Sequence, residues 1–422
     1  MSIDDTEFTT GPVPESATVA WWRVAMISAT VAFSLPTFIT GLEVSRAVSL
    51  DVTLLALAGG SLMLTLIASI TGSIGARTRL SSYMLARVAF GDRGAALVNL
   101  AFAVFLLGWF GVNIDLFSAA VERLSRETFG LDVPVWVVEL GAGGVMTATT
   151  VYGFRAINGL SLLLVPVLVA VTVSLIASAL HVAPLADMLS RDSIGALSLG
   201  DAMSSVVGGV VVGAVILPDI TRFIRRWPGA VYTAVLSYLI IGCVVMAAGS
   251  LAATALDRDD LLEIMLIVGL GWGAFAIVIA GSWVLNSLNL YSTMLSIEAT
   301  WPALQSRLLV VVLGTLGTLA AFLNILEVFL TFLFYLAIVF VPVAGVIAVD
   351  YLFVRRAAYH DERTVLSSPW RPYAIAAWAL GACVALLGAE GALRLSGFAA
   401  LDAMLVAAGA YWIAARLNGS GA

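Results

Sequence analysis

Apolar residues run through this chain in long blocks, and polar residues collect in the short segments between them. About twelve blocks can be drawn, near 22–44, 52–75, 94–122, 134–153, 160–181, 199–220, 229–254, 261–296, 307–323, 326–353, 372–392 and 397–416. A hydrocarbon core about 30 Å thick needs about 20 apolar residues in a helix, and most of these blocks reach or pass that length. The longest polar connections, near 77–93 and 354–371, leave no room for a water-soluble domain. The pattern predicts an all-α integral membrane protein of about 12 transmembrane helices. It comprises a short tail, residues 1–20, and a single membrane domain, residues 21–422.

Composition agrees. Of 422 residues, 61% are hydrophobic and 11% charged, against roughly 25% charged in globular domains. The first twenty residues are acidic (Asp4, Asp5, Glu7, Glu15) and lack the basic start and cleavage site of a signal peptide. Cys243 and Cys383 both fall in apolar blocks and read as small hydrophobes. His181 and His360 lie far apart with no carboxylate cluster beside them, so neither a metal site nor a hydrolytic triad is predicted. An enzyme, a cofactor and a nucleic-acid partner are all unexpected; the partners expected are the bilayer and a small molecule.

Arginine supplies every one of the 21 basic residues, and its distribution sets an orientation. With the N-terminus inside, fifteen fall on the cytoplasmic side, among them Arg77, Arg79, Arg222, Arg225, Arg226, Arg355 and Arg356. Arg46, Arg123, Arg126, Arg191, Arg258 and Arg394 fall outside. Basic residues concentrate on the cytoplasmic side of membranes, so both termini are predicted to be cytoplasmic, in the inner (plasma) membrane.

Two blocks carry signs of interruption. The first contains Ser34-Leu35-Pro36, and proline removes a backbone donor. The sixth contains Gly208, Gly209 and Gly213, then Pro218. A shift of five blocks relates them, as in transporters built from inverted repeats with sites at broken helices. Helix packing through small residues is the other reading of the glycines.

Polar residues at membrane depth are functional candidates. Trp109 and Asn113 stand four apart in GWFGVNID, on one helical face with Leu106. A tryptophan beside an amide could stack on a flat ring and bond its edge; a helix–helix contact is the alternative. Asp115 faces elsewhere and could carry a coupling proton, pair with Arg123 or lie at the outer boundary. Ser282, Asn286 and Asn289 form a polar stripe that faces either a cavity or a neighbouring helix. Asp219 is expected to end its block and pair with arginine.

Several motifs, in order, make the chain resemble the nucleobase/cation symporter family and its bacterial cytosine permease branch. They are GPVPES (11–16), GSIGARTRLSSYMLARVAFG (72–91), GWFGV (108–112), PDITRF (218–223) and VPVAGVIAVDYLFVRR (341–356). The resemblance implies a leucine-transporter-like 5+5 inverted repeat, about 21–181 and 199–353, plus two C-terminal helices within about 372–416. It implies alternating access driven by an ion gradient, with substrate between the first and sixth helices. Trp109 matches the family tryptophan that stacks on the base, and Gly208, Gly209 and Val210 match the helix-six segment that holds the ring.

The chain also departs from that pattern. A glutamine of the cytosine pattern is Leu106, the helix-six phenylalanine is Val210, and the helix-eight asparagine falls at Gly281. The hydroxyl pair of the family sodium site falls at Val284 and Leu285, which offer no oxygen. The expectation is a secondary importer of a nucleobase or related small flat heterocycle, not dependent on sodium, with a proton the more plausible coupling ion. Trp109 would stack, with Asn113, Ser282 and Asn286 as edge contacts. An importer of a vitamin precursor such as hydroxymethyl-pyrimidine or of another small solute, or a transport-inactive ligand sensor, is the alternative.

Overall fold

The computed structural model of the chain describes residues 8, 11–190, 197–322, 340–389, 392–393 and 395–419. Apart from one parallel bridge, Val19 with Ile224, the described residues form helices and their connections. In chain order the longer helices are α1 (Trp21–Ala32), α2 (Leu35–Ala47), α3 (Leu50–Thr78), α4 (Ser82–Phe129), α5 (Val135–Val151), α6 (Gly153–Val182) and α7 (Leu199–Val215). Then follow α8 (Pro228–Leu256), α9 (Gly271–Thr300), α10 (Ser306–Ala321), α11 (Phe340–Val354), α12 (Pro372–Ala389) and α13 (Ala399–Leu417). Among the described residues, seven helices are long and apolar enough to cross a membrane, counting α7 as extended to Thr221; the bent pair α1–α2 makes an eighth. Helices α5, α10, α11 and α12 are shorter but apolar.

Large apolar side chains such as Val104, Leu163 and Leu308 point outward, as lipid-facing residues do, while polar side chains sit inside. Burial ranks the helices. In the most apolar stretch of α9, 78% is buried, against 28% in α6, so α9 runs through the middle of the bundle.

Small residues and hydroxyls weld the helices into two groups. In one, α3 lies along α7: Gly60 faces Val206, Thr71 Oγ1 donates to the Ala214 carbonyl at 2.7 Å, and Thr221 Oγ1 donates to the Gly72 carbonyl at 3.0 Å. Helix α2 lies along α8, where a methyl on Gly249 would meet the Phe38 carbonyl at 2.2 Å and Ser250 Oγ donates to Gly41 at 2.7 Å. In the other group α4 packs on α9 and α10, and α5 on α10. Ser296 Oγ of α9 donates to the Asn99 carbonyl of α4 at 2.5 Å. Helices α12 and α13 pair at the flank.

The polar segment 77–93 is expected as a loop, yet most of it is helical and buried. Helix α4 begins at Ser82, and Tyr83, Met84, Leu85 and Phe90 are almost wholly out of solvent. It turns at Gly91, whose φ of 75° and contact with the Pro369 carbonyl suit only glycine. Beside this turn Asp350, fully buried, accepts hydrogen bonds from Arg355, Tyr359 and Tyr411, which ties α13 to the end of α11.

Candidate functional site

The first apolar block is broken, as its sequence predicts. Helices α1 and α2 meet at 51°, and the turn between them is Phe33–Ser34. Pro36 lies in the first turn of α2, where a missing N–H costs nothing. Ser34 is the residue before that helix, 2% exposed, with its hydroxyl 3.3 Å from Thr37 Oγ1.

The sixth block is not broken where its glycines stand. Helix α7 continues from Leu199 to Val215 through Gly208, Gly209 and Gly213, and the chain leaves it at Ile216–Leu217, just before Pro218. The reason is energetic. Glycine weakens a helix by about 1 kcal/mol, whereas an unpaired backbone group in lipid costs several kcal/mol. The glycines instead permit close approach. A methyl on Gly209 would sit 2.8 Å from Thr40 Oγ1 of α2, and one on Gly213 would sit 3.0 Å from the Tyr238 hydroxyl of α8. Gly208 faces open space, with nothing within 4 Å of such a methyl. The expected Gly213 break is thus corrected to a contact, and Val210 next to these glycines is half-buried.

On the other side of the break stands α9. A methyl on Gly281 would come within 2.8 Å of the Phe33 carbonyl oxygen and 2.9 Å of Ser34 Cα. The glycine lets the two backbones touch. It closes a π-helical turn, Ile277–Gly281, a distortion that often marks functional sites. Ser282, the next residue, is 2% exposed; Val284 and Leu285 are buried hydrocarbons.

Trp109 points inward. It is 6% exposed and belongs to the same buried cluster as Leu106, Val207 and Val211, with half-buried Val210 packed against it. Asn113, one turn on, donates its amide to the Trp109 carbonyl at 2.8 Å. Its own side-chain oxygen is buried and accepts no hydrogen bond among the described residues. A buried acceptor left so costs roughly 1–3 kcal/mol, which makes it a point where a ligand donor would be welcome.

Asn286 is committed differently. Its amide donates to the Phe110 carbonyl at 2.9 Å, its nitrogen lies 3.5 Å from Met146 Sδ, and Asn289 Nδ2 lies 3.5 Å from its oxygen. Of the two readings of the polar stripe, these bonds favour the helix-pairing one at Asn286, while Asn289 bonds Asn286 on the same helix.

Asp115 is half-buried, and Arg123 is engaged elsewhere, with Glu127 and Asp260. The carboxylate within electrostatic reach of Asp115 is Glu139 of α5. Asp219 has Arg222 within electrostatic reach, as expected, and its oxygens also accept from the Ser82 N–H and the Ser292 hydroxyl, while Arg222 Nε donates to its main-chain carbonyl. His360, in the connection after α11, is held below its ordinary value by burial and by the Arg356 guanidinium.

The geometry is that of a broken helix packed on a buried central one, and sequence comparison says which proteins the chain resembles. A family described as permease for cytosine/purines, uracil, thiamine and allantoin matches residues 12–414. The chain belongs to this permease family. A similar relative is the cytosine permease of Escherichia coli (strain K12), 29% identical over 384 residues, 89% of this chain and 88% of that one. The fold is similar to that of Mhp1, a nucleobase-cation-symport-1 family transporter, in a closed conformation with bromovinylhydantoin bound. There the TM-score is 0.81 at 20% identity, covering 97% of this chain and 96% of that one. The inward facing conformation of Mhp1 gives 0.78, also at 20% identity, covering 97% and 93%. The expected resemblance to nucleobase/cation symporters is therefore met, and the protein is a membrane-embedded permease.

Two features of this permease escaped the sequence reading. One is the contact of Gly281 with the α1–α2 break, for which a lone glycine gives no partner. The other is the set of bonds around Asp219 and Arg222, whose partners Ser292 and Tyr291 lie 73 and 69 residues away.

Proposed function

We propose that the protein imports a nucleobase or a related small flat heterocycle by alternating access, without dependence on sodium. The observation that carries the reading is the break at Phe33–Ser34 packed on Gly281 of the central helix. Main-chain groups freed at such a break face ligand or cavity. Trp109 is the stacking platform, the orphan oxygen of Asn113 accepts from the ring edge, and Ser282 supplies a hydroxyl. The open side of Gly208 and the half-buried Val210 line the opposite wall. Asn286 shapes the wall by holding α9 on α4 rather than by touching solute.

Leu106 and Val210 leave the site short of the contacts of the cytosine pattern, which favours another heterocycle over cytosine. Sites that read a polar edge discriminate by orders of magnitude when that group is absent. Sodium independence is supported by Val284 and Leu285, and by the direct seating of the Phe33 carbonyl on Gly281. Asp115, with Glu139 near it, is the candidate proton carrier. We read about twelve spans as two inverted five-helix repeats, about 21–181 and 199–353, with α12 and α13 added. The segment 323–339, in the predicted tenth span, lies outside the described residues. The fifteen-to-six arginine split supports cytoplasmic termini in the inner (plasma) membrane.

A thermal-shift screen of purified protein against nucleobases and other heterocycles tests this. A ligand at a hundred times its Kd adds about 2.7 kcal/mol. Stabilisation by at least one heterocycle, equal in sodium and choline, is expected; stabilisation by none contradicts the reading.

A further inference from the structure

Two charged side chains are buried where α7 ends. Asp219 is 1% exposed and Arg222 not at all. Asp219 Oδ1 accepts from the Ser82 N–H at 2.9 Å, and Oδ2 from the Ser292 hydroxyl at 2.6 Å. Arg222 Nη2 donates to the Tyr291 hydroxyl at 2.8 Å, and Nη1 donates to the Phe8 carbonyl at 2.8 Å. Ser82 opens α4, and Tyr291 and Ser292 are neighbours on α9. These bonds therefore run from one welded group of helices, that of α3 and α7, to the other, that of α4 and α9.

The N-terminal segment lies over the same place. The Val13 N–H donates to the Arg79 carbonyl at 3.0 Å, the Val19 N–H to Phe223 at 2.7 Å, and the Arg225 N–H to Val19 at 3.0 Å. The segment is thus stitched to the ends of α3 and α7, and its Phe8 carbonyl takes one arm of the Arg222 guanidinium. The other arm is turned to Tyr291.

We propose that Asp219 and Arg222 are the latch that closes the cytoplasmic side of the solute path, and that Phe8, with the stretch 11–19 stitched to α3 and α7, positions Arg222 for it. This rests on the transporter reading above. Dehydrating a carboxylate and a guanidinium costs several kcal/mol for each, repaid only while their hydrogen bonds are complete. The bonds are complete when the two groups of helices abut. If α7 moves away from α9, Asp219 loses Ser292, Arg222 loses Tyr291, and water must replace both. The contact then has two favourable arrangements, dry and bonded or parted and wet, as a gate requires. Tyr291 and Ser292 are positioning residues here; they bond the latch and not the solute.

Side-specific thiol labelling tests the latch without knowing the solute. In a Cys243→Ser, Cys383→Ser background, Val210→Cys reports on the path beside the glycines of α7. A membrane-impermeant maleimide is applied to inverted and to right-side-out vesicles. Asp219→Asn, Tyr291→Phe and removal of residues 1–12, which takes Phe8 away, are each expected to speed labelling from the cytoplasmic side by about tenfold, the worth of one charge-assisted hydrogen bond. Tyr291→Phe deletes only a hydroxyl, so the test survives if Asp219→Asn fails to fold. Unchanged cytoplasmic labelling in Tyr291→Phe and Asp219→Asn, with protein that elutes as a single species, overturns the latch. A faster Tyr291→Phe with an unchanged truncation overturns the role of the tail. A Val210→Cys that no vesicle orientation labels, in any background, overturns the transport reading itself.

Discussion

The carbonyl oxygen of Phe33 occupies the space that a side chain on Gly281 would need. At 2.8 Å from the position of a β-carbon, it leaves no slack, and the neighbouring atom is backbone that cannot rotate away. Replacing Gly281 by alanine therefore pushes α9 off the α1–α2 break. Overpacking of this kind costs about 1–3 kcal/mol. Uptake is expected to fall at least tenfold, with a lower thermal midpoint. Gly281→Asn, which would restore the cytosine-pattern residue, is expected to be worse than alanine and not to create cytosine transport; uptake assays on the pair check both.

Asn113 and Asn286 separate reading from scaffolding. Asn286 bonds α9 to α4 through the Phe110 carbonyl, so Asn286→Leu removes a bond between the two helices and costs about 0.5–1.5 kcal/mol of stability. Asn113 holds an orphan oxygen, so Asn113→Leu leaves stability level or raised while weakening substrate binding. Thermal melts and equilibrium binding on the two variants measure the split.

The carboxylate of Asp350 binds Arg355, Tyr359 and Tyr411 with none of its surface exposed. Asp350→Asn leaves Arg355 without its buried counter-charge, a loss of about 3–5 kcal/mol. The expected result is low yield and early unfolding, with α13 the first part to exchange amide hydrogens. Tyr411→Phe added to Asp350→Asn should cost less than its separate effect, because the two residues share one network.

Much of this architecture is written in hydropathy. The apolar blocks locate the helices because lipid forbids other backbone arrangements, and Ser34-Leu35-Pro36 locates a real break. The glycines of α7 misled because a low-propensity residue breaks a helix only where something else can satisfy its backbone. In lipid the cheaper use of Gly209 and Gly213 is contact, with Thr40 and Tyr238. Trp109 was legible as an inward aromatic from its spacing with Asn113. Asn286 was ambiguous, since a polar stripe looks alike whether it faces a cavity or another helix. The partners of Asp219 and Arg222 were not legible, because they depend on which helices meet at the arginine-rich end.

Trp109 offers the sharpest single substitution. Aromatic stacking is worth about 0.5–1.5 kcal/mol beyond area burial, and the indole also fills the wall beside Leu106. Trp109→Ala is expected to weaken substrate binding by at least about tenfold, with Trp109→Phe intermediate. Isothermal titration on the stabilising heterocycle measures both.

Solute counterflow in proteoliposomes reaches the central claim most directly. Purified protein is loaded with an unlabelled heterocycle and offered the labelled compound outside, in sodium and in choline at constant pH, beside Trp109→Ala. The account predicts accumulation of label that is equal in the two salts and lost in Trp109→Ala. Accumulation of no nucleobase-like compound, or undiminished exchange by Trp109→Ala, would contradict it.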